Sequence, residues 1–231
     1  MCGVIGFFPS AKNKIIEEFN LDSKASNYEK LLGMKNTPRS EIMTISGELP
    51  ALVPRVWWLI PSWIKDPKDA KYPTFNARAE TIREKPTYAN AWKNSQRCII
   101  PAGYFVEWKP LTNLENRVEK IPYLVKPTTN EFFSIAGLYE TWMGKDGIKI
   151  ESCTIITTEP NDKMREFHDR MPMLLKKEDE EDWLDKNANL EKIFNKIMPS
   201  ENGAIESYRI STMFNKTSAT NMSLELLRPL D

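Results

Sequence analysis

Cys2 stands directly after Met1 in a chain of 231 residues, and so small a residue there favours removal of the methionine. The exposed residue would carry an amine and a thiol on one carbon. An α-amine titrates near roughly 7.7–8.0 and a cysteine thiol near about 8.5, so a useful fraction of each is nucleophilic around neutrality. The ammonium also helps to stabilise the thiolate. Such a 1,2-aminothiol attacks acyl carbons, or condenses with an aldehyde to close a five-membered thiazolidine ring. Gly3 permits a tight backbone, and Val4-Ile5-Gly6-Phe7-Phe8 reads as a buried strand holding a terminus that would otherwise fray. The competing reading is an incidental cysteine beside the start codon, in a strand that is simply core.

Four further groups carry chemistry. His168 is the only histidine, so any imidazole chemistry must use it. It lies in Glu166-Phe167-His168-Asp169-Arg170-Met171-Pro172, where Asp169 would hold it protonated and Arg170 would oppose that, leaving the sign open. Asn76-Ala77-Arg78-Ala79-Glu80-Thr81 reads as a polar strand end with Asn76 and Arg78 on one face. An amide beside a guanidinium suits a polar substrate or a phosphate; it equally suits a structural ion pair with Glu80. In Tyr104-Phe105-Val106-Glu107-Trp108, alternation puts Glu107 on the face of Phe105. Apolar surroundings raise a carboxyl's pKa and prepare it for general acid–base work, unless Glu107 points to solvent. Trp57, Trp58 and Trp63, interleaved with Arg55, Lys65 and Lys68, would suit single-stranded nucleic acid, whose bases stack and whose phosphates pair. Trp57 or Trp58 would equally suit a core.

These residues need a scaffold, and short strand-like runs dominate the chain. They are Cys2–Phe8, Ile42–Ile45, Leu52–Ile60, Arg97–Pro101, Tyr104–Trp108, Pro122–Lys126, Phe132–Tyr139 and Ile148–Thr158, rich in β-branched and aromatic residues. The polar stretch Lys109–Lys120 reads as a hairpin excursion. Predicted helices cover Ile15–Asn20, Asn27–Leu32, Thr87–Asn94, Asn161–Glu166, Glu178–Asp185 and Leu190–Ile197. In the fifth, acids crowd the first turns, where the helix dipole favours them. Strands and short helices without a βαβ rhythm predict an α+β domain around a mixed sheet, one domain over residues 1–231.

Bulk properties narrow the class. Thirty-two basic and thirty-two acidic residues cancel, so no global field draws the chain to nucleic acid and any such contact must be local. No run of 18 or more apolar residues occurs, and the start lacks the basic n-region of a secretory signal, so neither a membrane span nor export is expected. Cys2, Cys98 and Cys153 form no CxxC pair, which argues against a disulfide framework or a zinc site. The expectation is a cytoplasmic protein without metal or nucleotide cofactor.

Met1-Cys2-Gly3, Leu59-Ile60-Pro61-Ser62-Trp63, Asn76-Ala77-Arg78-Ala79-Glu80-Thr81, Ile100-Pro101-Ala102 with Glu107-Trp108, Ala136-Gly137-Leu138 and His168-Asp169-Arg170-Met171-Pro172 resemble, in order, the SOS-response-associated peptidase (SRAP) family. So does the tail, Ser211-Thr212-Met213-Phe214-Asn215 and Glu225-Leu226-Leu227-Arg228-Pro229. The resemblance implies a largely antiparallel sheet or partial barrel with short peripheral helices. It also implies a monomer that binds abasic sites in single-stranded DNA and cross-links to them, shielding the lesion in a DNA-damage (SOS) response. Carried onto this chain, the Cys2 amine would form a Schiff base with the ring-opened deoxyribose and the thiol would close the thiazolidine. Glu107 would be the general acid–base, His168 would donate the proton that opens the sugar, and Asn76 would orient Cys2. Arg78 and Arg170 would bind phosphates; Trp63, Trp108, Thr157 and Pro38 would line the strand's path. The peptidase label implies self-processing, hydrolase-type chemistry where residues precede Cys2, beside the lyase-like Schiff base. Three positions depart from the family: Val4 replaces an Arg, removing one phosphate contact; Trp58 replaces a Gly; and Gly103 comes one residue earlier than usual.

Two other readings stay open. Class II glutamine amidotransferases also begin with a processed Cys-Gly and an apolar strand, but their His-Arg-Gly and Asn-Gly-Glu segments are missing here. A noncovalent single-strand DNA-binding module with vestigial catalytic residues is the other.

Overall fold

The computed structural model describes residues 2–8, 10–21, 33–47, 50–112 and 117–230. Its strands are β1 (Ile5–Gly6), β2 (Glu41–Ser46), β3 (Ala51–Trp57), β4 (Asn76–Arg78), β5 (Arg97–Ala102), β6 (Tyr104–Thr112), β7 (Val118–Pro127), β8 (Phe133–Met143), β9 (Lys149–Thr158), β10 (Met171–Pro172) and β11 (Ile205–Arg209). The described helices are short: α1 (Ala11–Glu18), α2 (Pro86–Lys93), α3 (Asp162–Arg165), α4 (Glu180–Leu184) and α5 (Leu190–Asn195). The helix predicted over Asn27–Leu32 falls outside the described residues. β10 and β11 have no counterpart among the predicted runs. The run Cys2–Phe8 pairs as a strand only at Ile5–Gly6.

β9, β3, β2, β5 and β8 pair in that order, and β8 returns to β9, so the ring closes on itself. The pairings are antiparallel except those of β3 and β4 with β9. The expected mixed, largely antiparallel α+β fold is therefore present, with the barrel closed. Closure leaves no unpaired strand edge to be covered. Gly137 makes the β8 crossing possible, because a Cβ there would meet Ile100 Cδ1 at 2.8 Å and Thr154 O at 2.9 Å. A smaller sheet, β1-β6-β7-β11, stands beside the barrel. The arms of the predicted Lys109–Lys120 excursion lengthen β6 and β7 into one antiparallel ladder from Phe105↔Val125 to Thr112↔Val118.

Three apolar clusters fix these layers. One packs the helices against the barrel through Ala91, Trp92, Trp183 and Ile193 against Ile99, Ala136, Leu138 and Ile156. A second joins the small sheet to the barrel: Cys2, Ile5, Phe105 and Val125 meet Ile42, Trp57, Cys98, Ile100, Cys153 and Ile155. The third covers the far face of the small sheet, with Tyr104 and Val106 against Ile210, Phe214 and Leu227. Alternation along β6 sends Tyr104 and Val106 outward and Phe105 toward the barrel. Full burial of each such large side chain contributes about 1.5–3 kcal/mol, so this layering fixes the register of β6. The seam between sheet and barrel is where Cys2 lies.

Candidate functional site

The N-terminal segment is held on both edges. On one side Ile5 N–H donates to Asn36 O at 3.1 Å and Asn36 N–H donates back to Ile5 O at 2.8 Å. On the other, Ile5 and Gly6 pair with Phe105 and Tyr104, and Val106 N–H donates to Val4 O at 3.1 Å. Gly6 is required here, since a Cβ would run into the Met34 carbonyl and the Tyr104 ring. A terminus that normally frays is thus fixed, and Cys2 is 1% exposed.

Asn76 reaches Cys2 from the barrel side. Parallel pairing of Asn76, Ala77 and Arg78 with Ile155, Ile156 and Thr157 of β9 sets its position. Its Nδ2 donates to Cys2 O at 2.8 Å, while its buried Oδ1 has no hydrogen-bond partner among the described residues. Helix α2, with Pro86 opening its first turn, supplies the Tyr88 hydroxyl that donates to Asn76 O at 3.1 Å. The amide is therefore locked from its backbone as well as from its strand.

Glu107 comes from β6, on the face of Phe105 as alternation predicts, and is 2% exposed. Burial pushes its carboxyl up to about 7, and nearby Asp169 adds to the rise. A carboxyl that titrates near neutrality is suited to either giving or taking a proton. The same burial, followed by the Glu107 charge, pushes the Cys2 thiol well above its ordinary range. The charge of the unprocessed amino terminus opposes this rise without outweighing it, so with Met1 in place the buried sulfur holds its proton.

His168 follows α3, whose N-cap Asn161 accepts from Met164 N–H at 2.9 Å. Its side chain is 28% exposed. Burial lowers its pKa, the charge of the unprocessed amino terminus and then Arg170 add to that, and Asp169 opposes them. The sign left open by the sequence falls on the neutral side. Nδ1 stands 2.6 Å from Asp169 Oδ1 and also accepts from Arg170 N–H at 3.1 Å. The carboxylate asks for a proton on that nitrogen and the amide for its lone pair, so the ring's proton is poised between two states. Glu107, His168, Val4, Trp108 and Phe167 line one open cavity of about 790 Å³, together with Lys35 and Asn215. A larger cavity of about 860 Å³ lies between Phe132–Ser134 and Met173–Glu180, away from this chemistry.

The residues expected to meet DNA divide. Arg78 is exposed, Trp63 is 60% exposed, and Trp108 and Pro38 are half-buried. Trp108 Nε1 donates to Asn215 Oδ1 at 2.8 Å. Arg170 and Thr157 behave otherwise. The Arg170 guanidinium grips Glu80 through both arms, at 2.8 and 3.0 Å, and donates to Thr157 O at 2.6 Å. Thr157 is fully buried, its hydroxyl donating to Ala77 O at 3.3 Å. Arg170 and Thr157 thus form an internal tie that joins the Glu80 turn and β4 to β9 just ahead of β10. Of the two sequence readings of this segment, the ion pair with Glu80 is realised, but by Arg170. Trp57 is wholly buried and donates from Nε1 to Phe75 O at 2.9 Å, whereas Trp58 is half-buried with Arg39 stacked 4.0 Å from its ring. Lys35 and Asn215 are not among the expected site residues: nothing in its local sequence marks Lys35, and Asn215 is marked only as part of the family-like tail. Among the described residues no cluster of three or more His, Cys, Asp or Glu side chains could hold a metal ion, and no helix is long and apolar enough to cross a membrane.

A closed mixed barrel with a small sheet packed beside it, Cys2 buried in the seam, and a carboxyl and an imidazole lining a neighbouring cavity define the class of fold and site. The model of the SOS response associated peptidase (SRAP) family matches residues 1–217, and the chain belongs to that family. It is 40% identical over 230 residues to the abasic site processing protein YoqW of Bacillus subtilis, covering 98% of this chain and 99% of that one. It is 26% identical over 205 residues to the abasic site processing protein HMCES of Rattus norvegicus, covering 78% of this chain and 57% of the relative. A crystal structure of a Bacteroides thetaiotaomicron protein superposes with a TM-score of 0.88 at 26% identity, covering 99% of this chain and all of the other.

Proposed function

We propose that this protein captures abasic sites in single-stranded DNA through Cys2. The observation that carries the reading is that Asn76 holds the Cys2 carbonyl while Glu107, poised near neutrality, charges the surroundings of the same thiol. The names of the relatives support the substrate. With Met1 removed, the α-amine attacks the aldehyde carbon of the ring-opened deoxyribose. Glu107 gives a proton to the carbinolamine oxygen, water leaves, and an imine forms. Cys2 Sγ then adds to the imine carbon and its proton ends on the nitrogen, closing the thiazolidine. A protonated buried thiol suits this order, because the amine acts first and the thiol needs only to add across C=N. His168, at the cavity wall, supplies the proton that opens the sugar. Trp63, Trp108 and Pro38 line the strand and Arg78 meets a phosphate. A peptide bond preceding Cys2 would be cleaved by the same group set, which accounts for the family's peptidase name.

The test uses a single-stranded oligonucleotide with one abasic site and a denaturing gel. The processed protein should give a heat-stable adduct, and Cys2→Ala should give none, although its free amine would still yield a borohydride-trapped imine. No adduct from protein whose Met1 removal is verified by mass spectrometry would sink the reading.

A further inference from the structure

The cavity that holds Glu107 and His168 has a wall the catalytic reading leaves unused: Lys35, Val4, Thr37 and Asn215. Lys35 is held in an unusual way for a cation at a cavity. Its Nζ donates to Phe214 O and to Thr217 O, each at 2.8 Å, and lies 4.4 Å from the Phe214 ring centre. These contacts use neutral acceptors. Among the described residues no carboxylate lies within ion-pair distance of it. An ammonium has three donors, so two fasten the side chain and one is left. Burial lowers the Lys35 pKa, as an uncompensated charge in a partly desolvated place requires. The ammonium is thus oriented by the C-terminal turn at Thr212–Lys216 and its cap Thr217, and among the described residues it meets carbonyls and a ring but no carboxylate.

We propose that Lys35 is a phosphate-contacting residue of the site, giving its third N–H to a non-bridging oxygen of the strand that occupies this cavity. The inference rests on the proposed DNA substrate. It assigns the C-terminal turn a role: by fixing two of the three donors, the Phe214 and Thr217 carbonyls aim the third. Asn215, from the same turn, accepts from Trp108 Nε1, so one turn orients both a cation and an aromatic ring at the cavity.

The probe is a single-stranded oligonucleotide carrying tetrahydrofuran, a stable abasic analogue without an aldehyde, which separates binding from cross-linking. Each phosphate contact on a single strand contributes about 0.7 to the slope of log K against log salt. Lys35→Gln keeps two donors for the two carbonyls and removes the charge; it should lower the slope by about 0.7, and Lys35→Arg should restore it. A slope unchanged in Lys35→Gln, with affinity either kept or reduced equally at every salt, would overturn the proposal and leave a purely structural tie. Should Lys35→Gln not fold, Lys35→Met is read the same way, and a full slope in Lys35→Met is equally fatal. If the wild-type protein shows no binding, the DNA reading itself fails and this inference falls with it. If wild type binds and only the Lys35 comparison is flat, the DNA reading survives.

Discussion

Replacing Glu107 by Gln is expected to make the protein more stable and less active, and the stability gain should depend on pH. The carboxyl moves from the usual 4.5 to about 7 on folding, chiefly through burial. Each pH unit between the two values corresponds to about 1.4 kcal/mol, so the ionised side chain costs the fold about 3 kcal/mol once the pH is above both. The folded protein binds this proton more tightly than the unfolded chain does. Its stabilising effect is therefore complete below 4.5 and is lost as pH rises through 7. A neutral amide of the same shape escapes the loss. Urea titrations of wild type and Glu107→Gln should nearly agree in Glu107-linked stability at pH 4.5 and diverge by about 3 kcal/mol at pH 8.5. For a chain of this size that is a rise of about 6–12 °C in melting temperature. Cross-linking to an abasic oligonucleotide should meanwhile slow by about 10²-fold or more, the usual contribution of a positioned acid–base group. A stability difference that does not change between the two pH values, or one that favours wild type at pH 8.5, would refute the electrostatic account of this carboxyl.

Other positions give sharper contrasts. Asn76→Ala leaves the Cys2 carbonyl buried without its donor, a cost of about 1–3 kcal/mol; denaturant titration should show that loss, and cross-linking should fall by more than affinity for the tetrahydrofuran oligonucleotide. Arg170→Lys breaks the two-armed grip on Glu80 and weakens the bond to the Thr157 carbonyl. It should cost about 1–2 kcal/mol, since the Glu80 end is half-exposed and partly screened, with no change in the salt dependence of DNA binding. A drop of about 0.7 in that salt slope would instead make Arg170 a phosphate contact.

Much of this architecture is legible in the residues, because alternation and β-branched runs report burial directly. Glu107 was placed on the Phe105 face by period-two reasoning alone, and the structure has it there. β3 was expected to run to Ile60, but it ends at Trp57, where Trp58 N–H turns back onto Val56 O. β10 and β11 escaped notice because each is defined by its partner rather than by its own pattern: Met171–Pro172 is a two-residue graft onto the end of β9, and Ile205–Arg209 is polar except where Ile205 enters the core. Among the site residues, the features that depend on local pattern, the strand face of Glu107 and the strand setting of Asn76, were visible. Those that depend on who faces whom were not. Arg170 and Arg78 look alike in sequence, yet one is clasped inside and the other is exposed. Lys35 gains its interest only from carbonyls 179 and 182 positions away.

Trp57 pairs with Cys153 and Asn76 with Ile155, so residues 58–75 leave and rejoin the barrel at neighbouring rungs of one strand. The excursion carries Trp63 and the 83%-exposed Tyr72, while Asn76, just past its end, is fixed by β9 and Tyr88. Geometry thus divides the labour of change. The excursion's exposed part around Tyr72 can change over evolutionary time without moving the amide that steadies Cys2, whereas Leu59 and Ile60 are buried and Trp63 Nε1 is tied to Pro86 O at 3.2 Å. A lineage could retune which DNA shapes it meets while inheriting its chemistry intact, and a chimaera with a relative's excursion grafted between Trp57 and Asn76 would show the two properties parting company.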